Sequence, residues 1–95
     1  MTFDEIYSLM LRGSEKMSFA DRLKFDCGTD GVILISPEGV SRADSEADCT
    51  IRISTANLGK LIKGELNPMA GVALGKLKVS GNPAVAMKLA ALLKG

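Results

Sequence analysis

Leu23, Phe25 and Cys27 alternate with Arg22, Lys24 and Asp26, so the first extended stretch of this chain predicts a strand with one face toward a core and one toward water. Ala47 to Ser54 repeats the pattern, with Cys49, Ile51 and Ile53 on one side and Asp48, Thr50 and Arg52 on the other. Gly75 to Gly81 shows it again, Leu77 and Val79 alternating with Lys76, Lys78 and Ser80. Val32 to Ile35 is instead a continuous aliphatic run, which predicts a strand buried on both faces and central in its sheet. Val40 to Ser45 alternates weakly and is polar, as suits an exposed edge strand, and Ser36-Pro-Glu-Gly39 before it has the residues of a type I turn.

Helical spacing fills the intervals. Thr2-Phe-Asp-Glu5 has the form of a capping box, followed by Phe3, Ile6, Tyr7 and Met10 on one face, with a stop near Gly13 or a continuation to Met17. Ser54 or Thr55 can cap a second helix to about Lys63, with Leu58, Leu61 and Ile62 inside and Gly64 as its C-terminal stop. Asn67-Pro68 opens a short helical turn through Val72. Asn82 can cap a final helix whose first residue is Pro83, where the missing N–H costs nothing. The fold class is therefore α+β: a five-stranded, mixed and mostly antiparallel sheet with helices packed mainly on one face. Ninety-five residues make one domain, 1–95.

The last helix changes the picture. Between Ala84 and Leu93 its only charge is Lys88, so a single core-facing stripe does not account for its apolar surface. Met69, Ala70, Val72, Ala73 and Leu74 add to the surplus. On the residues alone, a packed core with an oligomer contact explains this better than a cavity does.

Three stretches carry a resemblance that separates the two. Gly75-Lys-Leu-Lys-Val-Ser-Gly-Asn82 with Ala86-Met-Lys-Leu89, Ala47-Asp-Cys-Thr-Ile51, and Leu61-Ile-Lys-Gly-Glu-Leu-Asn-Pro68 resemble, in order and spacing, the sterol carrier protein 2 family of lipid-binding domains. The resemblance covers roughly Asp30 to Leu92 and implies an apolar tunnel between sheet and helices, shielded by the C-terminal segment, that holds a sterol, fatty acyl chain or other lipid. It implies as lining residues Phe25, Ile33, Ile35, Leu58, Ile62, Met69, Val72, Leu74, Met87 and Leu89, each also a plain core candidate. Where the family tends to carry bulky aromatics and a glutamine before Gly75, this chain has Val72, Ala73 and Leu74, which implies a wider cavity and less to orient a hydroxylated lipid.

Composition narrows the chemistry. The chain has no histidine, which removes histidine-based triads, Cys-His pairs and imidazole metal ligands. Cys27 and Cys49 fall on predicted buried faces and read as inert, reduced thiols; a nucleophilic role needs a cation beside one of them. Asp44, Glu46 and Asp48 could form a carboxylate site or a solvated edge. Gly71, Gly75 and Gly81 lack phosphate-binding spacing, and Tyr7 is the only Tyr or Trp, so neither nucleotide nor nucleic-acid binding is expected. The expectation is a protein that is not an enzyme, with no cofactor and no metal, acting in the cytoplasm. No apolar run reaches the roughly 18 residues that span a bilayer, and Leu93-Lys-Gly95 is not a peroxisomal signal.

The formal net charge of +1 is unevenly spread: residues 55 to 95 carry six lysines against Glu65 alone. That points to a solvated basic face or to docking on an anionic membrane, with Lys76 and Lys78 on one side of their strand. Two functions follow, a reversible lipid carrier and an accessory module that dimerises or docks on an enzyme of lipid or isoprenoid metabolism through the last helix. An open cavity end would favour a homodimer.

Overall fold

A computed structural model describes residues 1–14 and 20–94, except for the side chains of 14 and 89–94. The elements run α1 (Phe3–Ser14), β1 (Leu23–Asp26), a 3-10 turn at Gly28–Asp30, β2 (Val32–Ser36), β3 (Gly39–Ser41), β4 (Cys49–Ile53), α2 (Thr55–Ile62), α3 (Pro68–Ala73), β5 (Leu77–Gly81) and α4 (Pro83–Lys94). The continuation of the first helix to Met17 lies outside the described residues.

Helix starts follow from side-chain oxygens that accept orphan N–H groups. Glu5 N–H donates to Thr2 Oγ1 (3.1 Å) while Thr2 N–H donates to Glu5 Oε1 (2.9 Å), the reciprocal pair a capping box requires. These bonds hold the Glu5 carboxyl below its ordinary value of 4.5. Their contribution is thus complete above that value and is lost as pH falls through the lowered one. Ser54 Oγ accepts from Asn57 N–H (3.2 Å) at α2, and Gly64, at φ 78°, turns the chain away beyond its end.

The sheet order is β3-β2-β1-β4-β5. β1 pairs with β4 in parallel and every other neighbouring pair is antiparallel. Register puts Phe25 beside Ile33 on one side and Ile51 on the other, so the inner-face residues of three strands form one row. Ile6, Leu58 and Val85, from α1, α2 and α4, join the same buried cluster, which shows that the helices share the inner face.

β1 is the middle strand; the aliphatic β2 lies between it and the edge strand β3. It is nevertheless buried on both faces. β3 runs parallel to β4, so residues 42–48 must cross back over two strands, and Lys24 Nζ pairs with Asp44 Oδ1 (2.9 Å) along the way. Leu34, the register partner of Lys24, is 3% exposed yet outside the inner cluster, as expected of an outer-face side chain beneath that crossover. The edge strand ends at Ser41, short of the expected Ser45, because the chain leaves the sheet there for the crossover.

Asp48 joins the two halves. Its Oδ2 accepts from Arg22 N–H (2.9 Å), its N–H donates to Arg22 O (2.9 Å), and its carbonyl accepts from Asn82 N–H (2.8 Å). Gly81, at φ 89°, lies against that carbonyl, and a Cβ there would collide with it. Gly81→Ala should therefore destabilise by roughly 3 kcal/mol or more, combining left-handed strain with a backbone collision. A fall in the urea midpoint at unchanged slope measures it.

Candidate functional site

β5 alternates so that Leu77 and Val79 face inward, and its antiparallel pairing sets Val79 against Ile51 and Leu77 against Ile53. Two helices rise over this corner of the sheet. Asn67 Oδ1 accepts from Met69 N–H (2.8 Å) and Pro68 takes the first helical position, which starts α3 directly after the Leu66 turn. Gly71 is buried, and a Cβ on it would come within 2.9 Å of Leu77 Cδ2, so α3 rests on β5 through a residue without a side chain. Across the gap, Asn82 Oδ1 accepts from Ala84 N–H (3.0 Å) and Pro83 starts α4.

Between these elements lies a groove of about 230 Å³. Ile51, Leu77 and Val79 form its floor, and Leu61 of α2 closes one side. Pro68, Met69 and Val72 form one wall; Pro83, Ala86 and Met87, at helical spacing, form the other. Val85 points instead into the core at 1% exposure, so α4 divides its apolar surface between core and groove. Among the described residues no lining side chain carries a polar group, so the described lining can exclude water from an apolar ligand and offers nothing that transfers a proton or holds a metal.

The sequence candidates separate. Met69, Val72 and Met87 line the groove. Phe25, Ile33, Ile35 and Leu58 lie in the packed cluster, and Ile62 packs against it. Leu74 is 67% exposed at the end of α3, outside the groove lining. The side chain of Leu89 lies outside the described residues. Ile51, Leu61, Leu77 and Val79 were legible as inner-face residues but not as lining, because that depends on β5 pairing with β4. Pro68 and Pro83 were read only as helix starters.

Lys76 and Lys78 are exposed, with Lys78 on the face of β5 opposite Leu77 and Val79. The cross-strand partner of Lys78 is Arg52, whose Nε reaches toward Asp26 Oδ2 (3.8 Å). Of the acidic trio, Asp44 pairs with Lys24 and Asp48 caps Arg22; among the described residues no group of metal-ligand type gathers three members. No described helix is long and apolar enough to cross a membrane.

The model of the SCP-2 sterol transfer family matches residues 3–94. Sterol carrier protein 2 of Oryctolagus cuniculus is 47% identical over 47 residues, half of this chain but only 9% of the rabbit protein. The solution structure of the sterol carrier protein domain 2 of Helicoverpa armigera superposes with a TM-score of 0.73 at 25% identity, covering 97% of this chain and 84% of that one. Palmitated SCP2L2 from Aedes aegypti superposes at 0.74 with 16% identity, covering all of this chain and 96% of its own.

Both cysteines are free and buried, and burial pushes each thiol above its ordinary value of 9.0. A disulfide-exchange reagent should therefore label neither at neutral pH except at the rate of opening, and both at once in urea. Because the unfolded thiols ionise first, this pair should also lower stability as pH rises past about 9. Rapid labelling of the native protein would overturn the assignment of both thiols to the core.

Proposed function

The chain belongs to the SCP-2 sterol transfer family, and from that premise we propose that it is a non-enzymatic cytoplasmic carrier, taking up a fatty acyl chain, sterol or similar lipid in the groove between β4–β5 and α3–α4. The observation that carries this reading is the groove's wholly apolar lining among the described residues. A ligand there gains by leaving water and by nothing else. Each buried CH₂ contributes ~0.8 kcal/mol against ~4–15 kcal/mol of association cost, so a ligand that buries a short segment is held weakly, as reversible exchange needs. The palmitated state of the Aedes aegypti protein supports an acyl ligand for this shared fold.

At about 230 Å³ the groove is smaller than the ~300–1,000 Å³ usual for pockets that enclose a drug-sized molecule. It therefore holds a short apolar segment, and the polar end of the ligand stays at the mouth. Met69, Val72 and Met87 contact that segment, while Phe25, Ile33, Ile35, Leu58 and Ile62 hold the sheet and α2 rigid behind it. The second reading, an accessory module or homodimer, draws on the small share of the rabbit protein that the match occupies.

Extraction of the purified protein with organic solvent followed by mass spectrometry should recover a lipid; an empty extract together with no uptake of added fatty acid would favour the accessory reading. Val72→Phe should fill part of the groove and weaken binding more for bulky ligands than for slim ones. Displacement of a fluorescent fatty acid across a series of chain lengths and shapes measures this, and an unchanged series would remove Val72 from the wall.

Lys76 and Lys78 are proposed to add attraction to an anionic surface, about 1 kcal/mol each at low salt. Neutralising both should slow transfer from anionic vesicles by up to about thirtyfold and leave zwitterionic vesicles unaffected. Transfer by the unmutated protein that ignores salt would rule this out, since the Debye length falls from about 10 Å at 0.1 M to about 3 Å at 1 M.

A further inference from the structure

From Leu66 to Gly75 the chain carries no charged residue, yet most of this segment is exposed. Met69 is 73% exposed, Val72 50% and Leu74 67%, with Met87 at 65% across the groove. Single exposed apolar side chains are ordinary, but Met69, Val72 and Met87 gathered at one groove, with Leu74 following at the end of α3, are an apolar surface that needs a partner. We propose that α3 and the turn after it form a membrane-insertion ridge, which enters the interface of an anionic bilayer and sets the groove mouth against lipid. The purpose of this docking rests on the carrier reading; its physical basis does not.

Charge selects the partner. Between Thr55 and Lys76 stand Lys60, Lys63 and Lys76 against Glu65 alone, while Lys78 lies on the opposite face of β5 and Lys88 pairs with Asp21 (2.7 Å), so a second copy facing this ridge would still oppose like charges, whereas an anionic surface complements it. Area argues the same way, because a stable dimer buries ~800 Å² per partner and a six-residue helix with its turn offers only a fraction of that. Lys76 stands at the end of the ridge, its N–H donating to Gly71 O (2.8 Å). The other large exposed apolar side chains among the described residues, Met1, Leu9 and Leu11 at 39% each, lie at α1, where Asp4 and Glu5 are balanced by Arg12 and Arg42 and leave no excess of cations for an anionic bilayer.

The ridge is presented rigidly. Asn67 caps α3 at one end, Gly71 seats it on Leu77, and Gly75 at φ 73° turns the chain back into β5. Insertion would therefore cost little ordering entropy, and the apolar side chains reach lipid without local unfolding.

The chain contains no tryptophan, so one introduced indole reports its own surroundings. Leu74→Trp should shift to the blue and be quenched by brominated acyl chains on mixed phosphatidylcholine–phosphatidylglycerol vesicles, while Leu9→Trp should stay near its value in water. Ala73→Asp places a charge on the ridge outside the groove lining; it should weaken vesicle partitioning by about tenfold and leave uptake of fatty acid from solution unchanged. The proposal is overturned if the Leu74→Trp signal is unmoved on vesicles that retain the protein, if the Leu9→Trp signal moves instead, or if sedimentation shows a dimer that Ala73→Asp dissociates. Insertion by a protein that takes up no lipid would defeat the carrier reading and leave the ridge standing.

Discussion

The hydrogen bonds around Asp48 are what the rest of the structure depends on. One residue accepts from Arg22 N–H through its side chain, donates to the Arg22 carbonyl, and accepts from Asn82 N–H through its own carbonyl. The beginnings of β1 and β4 are thereby held in parallel register, and the end of β5 is held at the point where α4 starts. Parallel neighbours cannot be joined by a tight turn, so such long-range bonds do what a hairpin does elsewhere. Gly81 makes the arrangement possible, since any side chain would displace the carbonyl that accepts from Asn82.

From this stitch follows an unequal covering of the sheet. α1 and α2 bring Ile6 and Leu58 down at 0% exposure onto Phe25 and Ile33, and that side of the core is packed solid. Over β4 and β5 the covering helices offer smaller side chains. Gly71 on α3 and Ala86 on α4 face the sheet, so the same backbone spacing leaves space. Overlapping apolar surfaces are kept apart by the seating of Gly71 on Leu77 on one side and the Asn82–Asp48 bond on the other. Closing the gap would mean breaking one of these.

Local structure was legible in the sequence because its causes are local. Thr2 and Glu5 cap each other, Ser54 and Asn67 cap α2 and α3, and period-two alternation marks the inner faces of β1, β4 and β5. What alternation does not encode is strand order, and the groove is a consequence of strand order. Phe25 and Val79 are both inward apolar residues of alternating strands; only the sheet order places one in the packed middle and the other at the corner under α3 and α4. The same limit misplaced β2, whose aliphatic run read correctly as buried on both faces but not as lying next to the edge strand, because the cover over Leu34 comes from the crossover at residues 42–48. Exposure of Leu74 was hidden for a related reason: an uncharged run reads as interior unless the chain's path carries it outward.

An apolar groove without a polar lining discriminates weakly between ligands, and physical chemistry shows why that suits exchange. A buried hydrogen bond to a ligand hydroxyl would reject analogues lacking it, because the protein group would be left unpaired. Methylene burial gives only ~0.8 kcal/mol per group and grades affinity smoothly with length. Methionine on both walls, Met69 and Met87, strengthens this tolerance, since its unbranched thioether adapts to irregular shapes at little cost. A groove floored by the rigid β-branched Ile51 and Val79 and walled by flexible methionine holds one fixed surface against one compliant surface. Shape selection is therefore left to the floor and to Val72, the one branched residue on the α3 wall.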